Sequence, residues 1–334
     1  MLLVIPIFIP HRGCPHHCLF CNQEKISGCV AEGADRLEVA ETIEQWLVRS
    51  PLKKKVQVAF YGGSFTCLPS QEQMALLSAV QPYLATGKVD CIRLSTRPDC
   101  ISTEICEMLR KFHVGVVELG VQSLNNAVLA ESHRGHDADQ CRTAFALLQA
   151  AGMEVGLQLM PGLPGETNRS FLRGIDEVVR LRPNFVRLYP VLVVKASGLE
   201  ARYLQNRYRP LDLNQAIALT ARAYEKLVAA GIKVVRMGLQ PSLSLTENFV
   251  AGPYHPAFGE LVVSRLWLQK IRARLARLAP SENLCLHISH RDHGAVVGMK
   301  RSNIRRLEEL GFSGRFTILP DKSMARGSIK YVVC

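Results

Sequence analysis

Short runs of β-branched and aliphatic residues alternate, through most of the chain, with longer stretches whose apolar residues return every three or four positions. The short runs, Leu2 to Ile9, Lys55 to Tyr61, Cys91 to Ser95, Val114 to Gly120, Glu154 to Met160 and Phe185 to Tyr189, read as strands. The longer ones, Asp35 to Arg49, Ser70 to Ala85, Ser102 to Phe112, Asp137 to Ala151, Thr167 to Leu181 and Asn214 to Ala230, read as helices. Six strand-helix repeats imply right-handed crossovers and a parallel sheet, either open and doubly wound or curled into a full or partial barrel. After about Gly238 the repeat lapses, and a Pro/Gly break at Gly252 to Pro256 leads into a basic helix and a short terminal strand pattern. The expected division is a domain over 1–240 and a subdomain over 241–334.

Parallel α/β folds of both kinds gather ligands at the C-terminal ends of their strands, and the unusual residues fall there. Cys14, Cys18 and Cys21 follow the first strand, Gly62, Gly63 and Ser64 the second, and Thr96, Arg97, Pro98 and Asp99 the third. Gln122 and Ser123 follow the fourth, Pro161 to Gly165 the fifth, and Lys195 comes shortly after the sixth.

Composition narrows the class. The 334 residues are 48% apolar and 21% charged, ordinary globular usage that excludes wholesale disorder and collagen-like repetition. The longest apolar stretch, Met1 to Pro10, is broken by Pro6 and falls short of the roughly 20 residues that span a bilayer. It also lacks the basic start and small-residue cleavage site of a signal peptide. No membrane association and a cytoplasmic, reducing location are therefore expected, and the eleven cysteines are not read as a disulfide framework. Eight of them, Cys29, Cys67, Cys91, Cys100, Cys106, Cys141, Cys285 and Cys334, read as ordinary small apolar residues. Cys67 stands out only by lying near the expected pocket. His287, His290 and His293 form HxxHxxH, a spacing that sets all three on one side of neither a strand nor a helix, so no metal is expected there.

The remaining three cysteines form CPHHCLFC, Cys14 to Cys21, with spacing CxxxCxxC. Three thiolates this close converge on one centre if the loop wraps around it. A four-iron four-sulfur cluster usually takes four cysteines, so three leave one iron open to a substrate or cofactor. Zinc is the other reading, with His16 or His17 as fourth donor. In FYGGSFT, Phe60 to Thr66, paired glycines at a strand end let the backbone approach a ligand and offer it amides.

CxxxCxxC after the first strand and GGS after the second resemble the radical S-adenosylmethionine superfamily, whose fold is a full or partial (β/α) barrel. IRLSTRPD (Ile92 to Asp99), VELGVQSL (Val117 to Leu124), HRGH (His133 to His136), LMPGLPGET (Leu159 to Thr167) and RLYPVLVVK (Arg187 to Lys195) are similar, in order, to the catalytic subunit of Elongator and its prokaryotic relatives. The likeness covers roughly residues 5 to 260. It implies an α/β fold, a partial (β/α)6 TIM-like barrel, here with a C-terminal α+β extension. That branch carries an acetyltransferase-like domain, for which the 94 residues after Gln240 are too few.

The resemblance also implies the site. Cys14, Cys18 and Cys21 would ligate three irons, and S-adenosyl-L-methionine would chelate the fourth. Gly62, Gly63 and Ser64 would receive its amine, Arg134 its carboxylate, and Thr96, Gln122 and Gln158 its ribose or methionyl groups. One-electron reduction, from a flavodoxin- or ferredoxin-type donor, would give a 5′-deoxyadenosyl radical. Lys195 and His255, the latter in GPYHPAFGELV with Glu260, are the catalytic candidates.

Charge points to the substrate. Residues 1–194 hold 19 Lys and Arg and 19 Asp and Glu, while residues 195–334 hold 22 and 10, so the net charge of +12 lies wholly in the second part and favours a polyanionic partner. Arg202, Tyr203, Arg207, Tyr208 and Arg209 interleave guanidiniums with aromatic rings, a pattern that meets phosphates and unpaired bases. Arg265, Lys270, Arg272, Arg274 and Arg277 decorate one helix, where a solvated face is the plainer account. RNA, tRNA above all, is the expected substrate. A small metabolite or peptide substrate, and a zinc-bound RNA-binding protein without turnover, remain alternatives. Oligomeric state is not legible.

Overall fold

The computed structural model describes residues 2–9, 14–22, 25–26, 36–50 and 55–333. The chain divides into two compact units, Met1–Ala216 with Ala223–Tyr254, and Ile217–Arg222 with His255–Cys334. The first runs beyond residue 240 to Tyr254.

The first unit is a parallel sheet curled into a half-barrel. Its strands are β1 (Leu2–Phe8), β2 (Lys55–Tyr61), β3 (Cys91–Thr96), β4 (Val114–Gln122), β5 (Glu154–Leu159), β6 (Phe185–Leu188) and, after a short β7 (Val193–Val194), β8 (Lys233–Met237). They stand in the order β1-β2-β3-β4-β5-β6-β8, each paired in parallel with its neighbour. In chain order the helices are α1 (Arg36–Arg49), α2 (Ser70–Ala85), α3 (Thr103–Lys111), α4 (Asn126–Glu131), α5 (Ala138–Ala150), α6 (Asn168–Leu181), α7 (Gly198–Leu204), α8 (Leu213–Ala229) and α9 (Leu243–Asn248). Local chemistry starts them: the Ser102 hydroxyl accepts from the Ile105 amide, and Asp137 with Gln140 and Thr167 with Ser170 form reciprocal capping boxes.

Alternation along the strands separates two faces. Val56, Val58, Phe60, Ile92 and Leu94 are buried on one; Gln57, Tyr61, Arg93, Glu118 and Arg187 occupy the other, inner face. The seventh parallel strand, β8, goes beyond the six expected. Its KVVRM is short, begins and nearly ends on a cation, and sits at the sheet edge with no residue fully buried, so it lacks the apolar run that marks the inner strands. β7 pairs antiparallel with β9 (Phe249–Ala251). No helix among the described residues is long and apolar enough to cross a membrane.

The second unit packs α10 (Phe258–Leu275) and the short helices α11 (His293–Val297) and α12 (Ser302–Leu307) with a sheet of β10 (Leu284–Ser289), β11 (Phe316–Asp321) and β12 (Ile329–Val333). Trp267, Ile271, Leu275, Leu284, Leu286, Ile288, Val296 and Leu307 form its core. This is the α+β extension that was expected.

One expectation about cysteines is overturned. Cys67 and Cys100 are joined in a disulfide rather than standing as separate apolar fillers. They lie just past the ends of β2 and β3, which the sheet sets side by side. Cys29 and Cys334 lie outside the described residues.

Candidate active site

The first loop is pinned on both sides before any chemistry is asked of it. The Leu19 amide donates to the Ser132 carbonyl at 3.1 Å, the Leu19 carbonyl accepts from the Leu199 amide at 2.7 Å, and the Cys21 amide donates to Cys18 at 3.0 Å. Gly135, at φ +80, lies against the His16 ring so closely that a Cβ there would come within 2.4 Å of it. The HRGH segment therefore forms the seat of the cysteine loop.

Two buried guanidiniums face its thiols. Arg97 Nη1 is 3.9 Å from Cys14 Sγ and 3.8 Å from Cys18 Sγ, and Arg134 Nη1 is 3.3 Å from Cys18 Sγ. Arg97 also donates to the Arg134 carbonyl, and its Nε to Asp99 at 2.9 Å. Asp99 lies 3.4 Å from His136 Nδ1 and 3.7 Å from His16 Nε2. Burial alone would raise the Asp99 carboxyl; hydrogen bonds from His136 and Arg97 outweigh it and hold the group well below the usual carboxylate range. For Cys21, burial, with Cys18 and Cys14 adding to it, pushes the thiol up to about 12. Arg97 and Asp99 were placed at a strand end from sequence, and His136 in the HRGH motif, but none of the three was given a role.

The donor set suits a cluster. Three thiols spread along one loop can each take a different iron, and guanidiniums beside them balance the negative charge of a thiolate-ligated cluster. Zinc instead needs its donors around one point; among the described residues no group of three His, Cys, Asp or Glu side chains is placed to hold a single ion.

At the end of β2, Gly62 has φ 93 and stands half-exposed with Gly63, whereas Ser64 is buried. The Ser64 hydroxyl accepts from the Arg97 amide at 3.1 Å and lies 3.3 Å from Thr96 Oγ1, which in turn contacts Thr66 Oγ1 at 2.6 Å. Thr96 and Ser64 thus tie two strand ends together. Gln122, left-handed at φ 68, accepts through Oε1 from Gln158 Nε2 at 3.2 Å, and its carbonyl accepts from the Met160 amide at 2.9 Å. A non-glycine residue at such φ is uncommon and is held only by a structure that determines it from several sides.

On the inner face, Glu118 is shared by two cations. Arg187 Nε lies 2.7 Å from Oε2, Tyr61 donates to Oε1 at 3.0 Å, and Arg93 also bonds Oε1. Arg187 reaches the Tyr189 hydroxyl at 3.1 Å, and Arg93 stacks on Phe185 with 4.8 Å to the ring centre. Burial, then the adjoining Glu118, pushes Tyr61 up to about 12, so it stays a donor.

Two expected residues have local partners of their own. Lys195 is exposed, its Nζ donating to the Glu247 carbonyl at 2.7 Å. His255 belongs to the second unit, where its Nδ1 accepts from the Ala257 amide at 3.0 Å. In the basic-aromatic segment, Arg202 pairs with Glu131 at 3.4 Å and Tyr208 donates to the Gly162 carbonyl at 2.6 Å, so these two are engaged within the fold.

Known proteins give this geometry its context. Residues 8–178 match the Radical SAM superfamily, and residues 183–267 match the Radical_SAM C-terminal domain. The chain is 29% identical, over 64% of its length and 69% of the other's, to an uncharacterized protein of Methanocaldococcus jannaschii. It is 27% identical to the tRNA uridine(34) acetyltransferase of Methanocaldococcus infernus, covering 82% of this chain but 58% of that protein. Human Elongator complex protein 3 is 26% identical over 69% of this chain and 45% of its own length. In fold, the archaeal Methanocaldococcus infernus Elp3 superposes with a TM-score of 0.63 at 22% identity, over 81% of this chain and 63% of that one. The scaffold that presents Cys14, Cys18 and Cys21 is the one the superfamily match spans, and the chain belongs to the radical S-adenosylmethionine superfamily.

Proposed function

We propose that this radical S-adenosylmethionine enzyme modifies RNA, with tRNA as its substrate, at the rim where the cysteine loop meets the ends of β2 to β5. The observation that carries the reading is the pair of buried guanidiniums, Arg97 and Arg134, set against Cys14 and Cys18. Cys14, Cys18 and Cys21 would hold a 4Fe-4S cluster to which S-adenosyl-L-methionine would bind. When bound, this pair supplies a 5′-deoxyadenosyl radical for hydrogen abstraction, drawing its electron from a flavodoxin- or ferredoxin-type donor.

The chain's residues orient and enclose. Arg134 Nε is buried with no hydrogen-bond partner, which leaves it free to receive the methionyl carboxylate. The half-exposed backbone of Gly62 and Gly63 takes the amine, while Ser64 and Thr96, already bonded to each other's loops, hold that cradle in shape. Gln122 and Gln158 meet the nucleoside part. The inner face around Glu118, Arg93 and Arg187 gives polar anchorage to an entering base. Lys195, exposed after β7 in the same unit, is the catalytic candidate there.

For RNA, the support is the likeness to the tRNA uridine(34) acetyltransferase of Methanocaldococcus infernus and the excess of basic residues from residue 195 onward. Anaerobic reconstitution with iron and sulfide, reduction and addition of S-adenosyl-L-methionine should yield 5′-deoxyadenosine. Equal yield from Cys18→Ala would sink the mechanism. Nucleoside analysis of tRNA from cells with and without the protein tests the substrate; identical profiles would remove tRNA.

A further inference from the structure

The second unit contains a loop whose construction the radical chemistry leaves unexplained. Strand β10 leads through α11, the tetrad Gly298-Met299-Lys300-Arg301 and α12 into β11, which lies parallel to β10, while β12 runs antiparallel along the other edge. α10 completes a helical layer, and Trp267, Ile271, Val296 and Leu307 bury against Leu284, Leu286 and Ile288. Two short helices on a three-stranded sheet, joined by a tight glycine-led loop, are the device by which KH modules clamp the backbone of four nucleotides.

The tetrad is built to hold its shape. A Cβ on Gly298, at φ +77, would lie 2.6 Å from Ser302 Oγ and 2.9 Å from the Asn303 nitrogen, so only glycine lets the chain press this closely on the start of α12. Lys300 and Arg301 both take left-handed backbone, φ 50 and 62, which side-chain-bearing residues adopt rarely. Buried Asn303 locks the arrangement, its Nδ2 donating to the carbonyls of Ser264 at 2.9 Å, Ala295 at 3.2 Å and Val296 at 3.1 Å. Such backbone persists only where its surroundings determine it.

What it displays is positive charge. Met299, Lys300 and Arg301 are exposed, and neither cation is in an ion pair among the described residues, in contrast to Arg306, which pairs with Glu309 at 2.9 Å. Residues 255–334 hold 14 Lys and Arg against 6 Asp and Glu. We propose that the Gly298–Arg301 loop is a clamp for the sugar-phosphate backbone of single-stranded RNA. Lys300 and Arg301 take the phosphates, and Arg301, where KH loops have their second glycine, adds a fixed charge. The site rests on the reading of RNA as the substrate.

The test uses the full chain and a fluorescein-labelled, unstructured RNA oligonucleotide, with binding followed by anisotropy across a salt series. Asp tolerates left-handed backbone, so the double change Lys300→Asp with Arg301→Asp reverses charge while keeping the loop shape. Lys300→Asn with Arg301→Asn neutralises it on equally tolerant residues should the first variant melt early. The comparison variant, Arg169→Asp with Arg173→Asp on α6, carries the same charge change elsewhere. Expected are a loss of at least about tenfold in affinity, a salt slope shallower by about one unit, weaker binding of a duplex of equal length, and a change within about twofold for the α6 variant. If the wild type binds and the loop variants stay within about twofold of it, or the α6 variant loses as much, the clamp is wrong and the RNA reading survives. If the wild type binds no RNA, both fall.

Discussion

Arg134 Nη1 stands 3.3 Å from Cys18 Sγ, while its Nη2 donates to the Gly120 carbonyl at 2.6 Å. One side chain thus ties the thiol of the first loop to the end of β4. Arg134→Gln removes the charge beside Cys18 and leaves the Gly120 carbonyl without its donor, a loss of about 1–3 kcal/mol. Urea unfolding measures that cost. In the reconstituted protein, losing a cation next to the thiolates disfavours the reduced, more negative centre, so the midpoint followed by electron paramagnetic resonance should move to lower potential. Arg134→Lys should restore part of the potential but not the bond to Gly120.

Gly135→Ala is expected to loosen the cysteine loop without touching a thiol. The new methyl would fall 2.4 Å from the His16 ring, on backbone at φ +80 that disfavours any side chain, a strain of about 1–3 kcal/mol. Iron bound per chain after reconstitution should drop, with Cys14, Cys18 and Cys21 all present. An unchanged iron content would show that the seat is not needed.

Glu118→Gln tests the inner face. The carboxylate answers both Arg93 and Arg187, and breaking such a buried cluster by removing one partner costs about 3–5 kcal/mol. The double variant Glu118→Gln with Arg187→Met should recover part of this, because it no longer strands a second cation. Denaturant midpoints of the three proteins decide it.

Stability should also carry a pH signature from Glu166. Burial raises this carboxyl from 4.5 to about 7, against hydrogen bonds from the Gly162 amide and the Ser123 hydroxyl that work to lower it. The folded protein therefore holds the proton more tightly than the unfolded chain. The contribution is full below about 4.5 and is lost as pH rises through about 7, on the order of 3 kcal/mol at most. Urea unfolding between pH 5 and pH 8 should show a decline that Glu166→Gln flattens.

Much of this was readable before any coordinates. The first six strands and their helices announce themselves because short β-branched runs alternate with stretches of helical period, and Cys14, Cys18 and Cys21 because three thiols in eight positions have few other uses. Periodicity says nothing about which strand ends become neighbours across the barrel. Arg97 was therefore placed at a strand end without a partner, although it meets two cysteines more than 70 positions away in the chain. The same blindness hid the Asp99–His136 contact and the Cys67–Cys100 bond. Thr96 and Ser64 stand at the ends of β3 and β2, yet their hydroxyls serve each other first, a division of labour only geometry reveals. The strand at Lys233–Met237 escaped because edge strands keep their charges in solvent.

The bond between Cys67 and Cys100 closes a covalent ring that holds α2 and β3 entire. A protease that cuts once inside that ring releases no fragment. The clipped protein should migrate as one polypeptide in a denaturing gel without reductant and separate into two pieces only when a thiol is added.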